Sequence, residues 1–147
     1  MFGDVQNRTQ MQPLAIRLRA ARKRVVAESE QEVHAALTAA EQEADRVGKT
    51  ALVDFVAANG SQLSMMVGSA ETTLSWRYAG DDEPRFLSLG DAAATGAFAM
   101  SRDFTDLVDV PRWAMIPRAD GYAALNEFVA SNDIPVCVQW ADYVSSG

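Results

Sequence analysis

The sequence predicts a single α+β domain in which a twisted, mainly antiparallel sheet of about five to seven strands carries two principal helices. Three observations predict it: helical periodicity at residues 30–47, strand periodicity in the middle of the chain, and a second helical stretch at residues 117–131. The length of 147 residues suits one domain, since single cores usually run to about 100–200 residues. This order of elements is typical of one sheet with a face covered by helices.

The first apolar segment, Pro13–Val26, fits two periods. Leu14, Ile16 and Leu18 alternate as in a strand, whereas Leu14, Leu18 and Val25 also fall on one helical face, so periodicity leaves the choice open. Residues 1–24 contain six basic side chains and one acidic side chain, which favours a separate basic leader that is flexible or partly helical. Residues 25–147 form the predicted domain.

The first helix has a recognisable beginning and end. Ser29 and Glu32 form a capping box, in which each side chain accepts a hydrogen bond from a backbone N–H at the start of the helix. Apolar residues then recur at helical spacing from Val33 to Val47, and Gly48 favours a left-handed stop. The pattern predicts a helix over residues 30–47.

Antiparallel strands follow. Asn59-Gly60 accepts positive φ at both turn positions, which favours a tight hairpin between Ala51–Ala57 and the strand of Leu63, Met65 and Val67. Leu74, Trp76 and Tyr78 then alternate with Ser75 and Arg77, the clearest period of two in the chain. Strands are also predicted at Arg85–Leu89 and Ala97–Ser101, and an acidic connection at Arg102–Asp109, whereas the pattern leaves the structure of Pro111–Ile116 undetermined.

The second helix is predicted at residues 117–131. Pro117 suits its first turn, where a missing N–H costs nothing, and Asn132 suits its C-terminal stop. Its predicted buried stripe consists of Tyr122, Leu125, Phe128 and Val129. Val136, Val138 and Trp140 then predict a last strand.

Residue types that could perform chemistry are scarce. The one histidine, His34, lies beside the apolar stripe of the first helix and is expected to be partly buried there. The one cysteine, Cys137, alternates with Val136 and Val138, so it is expected to pack in the last strand as a small hydrophobe. We therefore predict no catalytic residues.

The aspartates Asp103, Asp106 and Asp109 recur every three residues, a spacing that could suggest calcium. The run lacks the glycine and the distal glutamate of a helix–loop–helix calcium site, so a solvated acidic loop is the favoured interpretation. The chain also lacks a glycine-rich phosphate loop. No metal and no cofactor are therefore expected.

Charge narrows the class of partner. The chain has a net charge of −7, and residues 25–147 alone carry seven basic and nineteen acidic side chains. Such a body repels phosphate backbones and anionic membranes, so neither nucleic acid nor a membrane is expected as a partner. A basic protein surface is the expected partner, although solubility alone could also account for the charge. Because Met1–Gln12 is polar, a cytoplasmic location is expected.

Three stretches together resemble the first immunity-protein family of bacterial polymorphic toxin systems. They are Leu74–Tyr78, Phe86–Asp91 and Phe128–Trp140. The second is similar to the family's aromatic-x-Ser-x-Gly-Asp strand end, and the third to its closing helix, turn, proline and strand that ends in tryptophan. The similarity covers roughly residues 25–141.

The resemblance implies a small cytoplasmic protein that is encoded beside a toxin and binds the toxin's catalytic domain. It implies chiefly nucleic-acid deaminase toxins, with nucleases as an alternative, and it supplies no catalytic residues. An acidic protein would be steered onto the basic groove in which such a toxin holds phosphates, and would exclude the substrate by occupying it.

Charge and anchoring side chains indicate where the toxin would be contacted. The turn Asp81-Asp82-Glu83 and the aspartates Asp103, Asp106 and Asp109 are the expected sources of charge. Tyr78, Arg85 and Trp113 are the candidate anchors near them, since tight binding usually depends on a few aromatic or arginine side chains.

Two other classes remain open at this point. One is a secretion chaperone or adaptor, which would also be acidic and non-catalytic. The other is an enzyme that uses the carboxylates, which would need a concave site with perturbed titration.

Overall fold

A computed structural model describes residues 11–143, and it confirms the predicted α+β domain. Seven strands form one open antiparallel sheet. From one edge to the other they are β11 (Gln139–Asp142), β7 (Phe86–Leu89), β6 (Leu74–Arg77), β4 (Gln62–Val67), β3 (Ala51–Val56), β1 (Leu14–Leu18) and β2 (Lys23–Ala27). Two smaller pairs are β8 (Ala97–Met100) with β9 (Val108–Pro111), and β5 (Glu71–Thr72) with β10 (Ile116–Pro117).

The ambiguous first segment is a β-hairpin. β1 lies between β2 and β3, with Leu14 and Ile16 buried on one face and Arg17 exposed on the other. The expectation of a flexible or partly helical leader is therefore wrong for residues 14–24, because alternation buries the apolar side chains and leaves the arginines outside the core. Residues 1–10 of that leader lie outside the described residues.

Helix α1 spans Glu30–Val47, which confirms its predicted bounds. The Ser29 hydroxyl accepts a hydrogen bond from the N–H of Glu32 at 3.2 Å, and Gly48 closes the helix at φ 77°. The Glu32 carboxylate accepts from the N–H of Glu28, one residue earlier than a standard capping box requires. Val33 and Leu37 are buried against the sheet.

Helix α2 spans Arg118–Ser131, one residue shorter than predicted, since Pro117 is its N-cap. Asn132 ends it at φ 57°, as predicted, and Leu125, Phe128 and Val129 are buried. α1 and α2 cover the same face of the sheet, here called the helix face, and their buried residues share one core with Trp76. Among the described residues, no helix combines the length and apolar character needed to cross a membrane.

The hairpin between β3 and β4 is confirmed, but its turn differs from the prediction. Only Gly60 has a positive φ, at 90°, and Asn59 does not. Asn59 instead uses its side chain: Oδ1 accepts from the N–H of Ser61, and Nδ2 donates to the carbonyl of Asn132. The side-chain amide thus ties the turn to the end of α2.

Two strand predictions need correction. The expected acidic connection ends early, because its last residues, Val108 and Asp109, already belong to strand β9 (Val108–Pro111), in which Val110 is buried against the sheet. The last strand begins at Gln139, and Val136 is 84% exposed. Glu127 accepts the backbone N–H groups of Val136 and Cys137, which holds this segment outside the sheet.

Candidate partner-binding surface

The second face of the sheet, opposite the helices, has a polar centre. Asp54 is fully buried there, and its carboxylate accepts two hydrogen bonds from Arg19, at 2.7 and 3.2 Å. Its Oδ1 also accepts from the hydroxyl of Ser64 at 2.6 Å. The sequence offered no signal for this ion pair, because its partners are 35 residues apart and meet only through strand register.

Beside this polar centre, the segment 97–115 folds over the same face. β8, β9 and a single 3₁₀ turn at Arg112–Ala114 pack their apolar side chains against it. The buried members of this second core are Met66, Met100, Val110, Ala114 and Met115. The second face is thus half covered by an apolar layer and half polar.

A buried serine and a close-packed glycine hold this layer to the sheet. The hydroxyl of Ser88 accepts a hydrogen bond from the N–H of Leu74 at 2.9 Å and donates one to the carbonyl of Ala114 at 2.7 Å. The N–H of Gly90 donates to the carbonyl of Trp113 at 2.7 Å. A Cβ at Gly90 would lie 2.1 Å from the carbonyl oxygen of Met115, so only glycine fits there. The stretch Phe86–Asp91 therefore positions Trp113.

A cleft of about 760 Å³ lies between the polar centre and this layer. Arg19, Arg77 and Arg102 line it together with Asp109 and Trp113. Two of its polar groups lack partners among the described residues: Thr73 Oγ1 and Arg77 Nε. The other two arginines are paired with carboxylates. Arg19 forms the salt bridge to Asp54, and a guanidinium nitrogen of Arg102 lies 2.6 Å from a carboxylate oxygen of Asp106.

The predicted acidic turn, Asp81-Asp82-Glu83, lies beside the cleft, because the next residue, Pro84, lines it. Asp81 accepts from the N–H of Tyr78 and from the guanidinium of Arg85, each at 2.9 Å. The guanidinium carbon of Arg85 lies 5.7 Å from the centre of the Tyr78 ring. Asp82 and Glu83 are exposed, and within residues 11–143 neither carboxylate takes part in a hydrogen bond or salt bridge.

The predicted connection divides its three aspartates between two roles. Asp103 accepts from the N–H and the hydroxyl of Thr105, and Asp106 accepts from the N–H and the guanidinium of Arg102. The side-chain hydrogen bond from Thr105 lowers the pKa of Asp103, and the backbone hydrogen bond from Arg102 lowers the pKa of Asp106. Asp109 is exposed and lines the cleft.

The structure therefore brings Asp109 and Trp113 to the cleft, with the turn of Asp81-Asp82-Glu83 at its border. Sequence reasoning missed the three arginines that line the cleft, Arg19, Arg77 and Arg102. Alternation placed Arg77 on the face away from Trp76, but it carried no information that a second layer would turn that face into a cleft.

Two other expectations about reactive residues are wrong. His34 is exposed on α1 rather than partly buried, and Cys137 is exposed rather than packed in a strand. Partial desolvation, and then the neighbouring Glu127 carboxylate, raise the pKa of the Cys137 thiol. Within the described part of the chain, no three His, Cys, Asp or Glu side chains are grouped so that they could hold a metal ion.

Comparison with protein families decides the class. The profile of a family described as Immunity protein Imm1 matches residues 21–142, which includes all three stretches that carried the resemblance. The chain belongs to the Imm1 immunity protein family. A search of curated proteins found no match.

Imm1 immunity proteins are non-enzymatic inhibitors, so this chain neutralises a cognate toxin and catalyses no reaction of its own. Because an Imm1 protein inhibits its toxin by binding, some part of its surface must recognise that toxin. The cleft, which Trp113 lines and the acidic turn borders, combines concavity, aromatic area and charge.

Proposed function

We propose that this Imm1 protein neutralises a nucleic-acid deaminase toxin by occupying its substrate site; a nuclease is the alternative target. A deaminase that acts on DNA or RNA holds phosphates in a basic groove and takes one base into a pocket. A protein with net charge −7 complements such a groove and is steered onto it. The family resemblance supports the deaminase class.

The single observation that carries the proposal is the position of the free carboxylates. Asp82 and Glu83 lie on the turn at one border of the cleft, and Asp109 lines the cleft itself. Because all three are exposed and bind no cation among residues 11–143, they can meet lysine and arginine side chains of the toxin.

The other proposed contact residues support this arrangement. Asp81, Asp103 and Asp106 add negative charge while their hydrogen bonds hold the two loops in shape. Tyr78, Arg85 and Trp113 provide the aromatic and guanidinium surface that usually anchors an interface. Trp113 is the strongest anchor of the three, since Ser88 and Gly90 hold its segment in place.

The test compares two variants with equal charge. The site variant carries Asp82→Asn, Glu83→Gln and Asp109→Asn; the control carries Glu30→Gln, Asp45→Asn and Asp120→Asn on the helices. Each changes the net charge by +3. Association with the catalytic domain of the toxin encoded beside the gene is followed by stopped flow. At low salt we expect the site variant to associate about tenfold more slowly, and the control to stay within about twofold of wild type.

A site variant that associates at the wild-type rate would contradict the proposed surface. The toxin class is tested separately, with a single-stranded oligonucleotide as substrate. Base conversion that stops when the inhibitor is added supports a deaminase, and strand cleavage supports the alternative. A toxin domain that does neither to DNA or RNA would overturn the proposed target.

A further inference from the structure

The cleft contains cationic and hydrogen-bonding groups that an acidic inhibitor does not need for electrostatic steering. Arg77 forms no salt bridge with any residue from 11 to 143, and its Nε is buried without a hydrogen-bond partner. A buried N–H of a charged group without an acceptor costs stability, and an acceptor from outside the chain would remove that cost.

A second group at the same cleft is also unmatched. Thr73 is 6% exposed, its Oγ1 has no partner in the described chain, and it lines the cleft. Thr73 immediately precedes β6 and Arg77 is its last residue, and both side chains line the cleft on the second face of the sheet. Four residues of extended chain separate their Cα atoms by about 13 Å.

Of the three arginines that line the cleft, Arg77 is the one whose charge has no acidic partner within residues 11–143. Arg19 is neutralised by Asp54, and Arg102 by Asp106. Asp109, which lines the cleft, and the acidic turn at its border would repel a free anion but would be satisfied by basic residues of a protein partner. An extended peptide segment that runs along β6 can contact both Thr73 and Arg77.

We infer that the cleft receives an extended segment of the toxin that carries an aspartate or glutamate, with its carboxylate on Arg77 and a polar group of the same segment on Thr73 Oγ1. This rests on the proposed function and refines it. The interface then combines two kinds of charge pair. Carboxylates at the border attract basic residues of the toxin, while the Arg77 guanidinium in the cleft donates to an acidic residue of the toxin. Such an arrangement sets the orientation of the partner, and rejects proteins that are merely basic.

The decisive variant is Arg77→Gln, because the two parts of the interface predict opposite effects. The substitution removes one positive charge from the inhibitor, so electrostatic steering alone predicts association at the wild-type rate or faster. Loss of a charge-assisted hydrogen bond predicts dissociation at least about tenfold faster. Surface plasmon resonance with the immobilised toxin domain measures both rates. Arg24→Gln removes an exposed charge from β2 and is the matched control, expected to dissociate at the wild-type rate.

Thr73→Val keeps the test valid if Arg77→Gln fails to fold. Because the Thr73 hydroxyl has no partner to lose within the described residues, the melting temperature should be unchanged or higher. Dissociation from the toxin should be about threefold faster, or more. Thr38→Val on the exposed side of α1 is its control, with wild-type kinetics expected.

Three outcomes would overturn the inference. One is wild-type dissociation for both Arg77→Gln and Thr73→Val. The second uses double-mutant cycles, in which Arg77→Gln is combined with single Asp→Asn or Glu→Gln substitutions in the toxin. The inference fails if none of these pairs shows a coupling free energy of binding. The third comes from titrating the inhibitor alone with inorganic phosphate at constant ionic strength: saturable binding that depends on Arg77 would assign the cleft to a free anion. Failure in these tests leaves the association-rate test of the acidic border unaffected.

Discussion

The two faces of the sheet are built on different principles. On the helix face, Trp76, Phe55 and Phe128 are fully buried and pack with the apolar stripes of two helices. On the second face the centre is an ion pair between Arg19 and Asp54, beside an open cleft. The apolar face supplies stability, since burial of large side chains drives folding. The polar face has Thr73 Oγ1 and Arg77 Nε without partners beside the open cleft, whereas the unpartnered group on the described helix face, Trp76 Nε1, is enclosed in the core.

The largest expected effect is on the helix face. Trp76 is 0% exposed, and its ring meets that of Phe128 edge to face at 5.4 Å, so Trp76→Ala should cost about 4 kcal/mol of unfolding free energy. Urea denaturation followed by circular dichroism measures it. Trp113→Ala, at the cleft, should cost less stability but weaken toxin binding more. Equal losses of stability in the two variants would remove the distinction between the faces.

The next effect concerns the connection between the two faces. In Gly90→Ala the new methyl would meet the carbonyl oxygen of Met115, which must move away together with the turn that carries Trp113. We expect a loss of about 3 kcal/mol. Because Trp113 moves too, toxin affinity should fall in the same variant. An alanine variant with unchanged stability and unchanged affinity would show that the close approach at Gly90 does not position the cleft.

A smaller effect is expected at the polar centre. Arg19→Met leaves the buried carboxylate of Asp54 with Ser64 as its one donor among residues 11–143, which should cost about 2 kcal/mol because Arg19 itself is partly exposed. Arg17→Met removes a neighbouring arginine whose contact is a 3.4 Å hydrogen bond to Gln62, and should cost less than about 0.5 kcal/mol. Similar melting temperatures for the two variants would show that the ion pair is not needed to hold the second face.

The smallest effect is expected at Asp106. Its pKa is lowered in the folded chain by hydrogen bonds from Arg102, so its contribution to stability is present above the ordinary value of 3.8. That contribution is lost as the pH falls through the lowered pKa. Asp106→Asn should therefore melt slightly below wild type at pH 7, and the difference should shrink as the pH drops below 3.8. A gap in melting temperature that widens with acid would contradict this assignment.

The helix face was largely predictable from the sequence. The capping residues and the stop at Gly48 defined α1, and the alternation of Leu74 and Trp76 identified the strand face that the helices cover. These signals are local, because each depends on residues within one turn of helix or one strand. The last strand was placed too early, since the contact between Glu127 and the Val136–Cys137 backbone joins residues nine and ten apart and leaves no periodic trace.

The candidate site was predictable only in part. Acidic residues and Trp113 could be selected by type, and whether they contact the toxin remains a prediction. Arg77 and Thr73 could not be selected, because outward-facing residues of a strand look alike in sequence whether solvent or another layer covers them.

The sequence by itself determined the α+β class, both helices, most strands and, through three short stretches, the family. Those features follow from local propensity and hydrophobic period, which act over a few residues. Tertiary structure alone decided that Arg19 meets Asp54, that Gly90 approaches Met115, and that segment 97–115 folds over the sheet to leave a cleft. Such contacts join distant parts of the chain, and their partners are chosen by strand register and by the shape of the packed core.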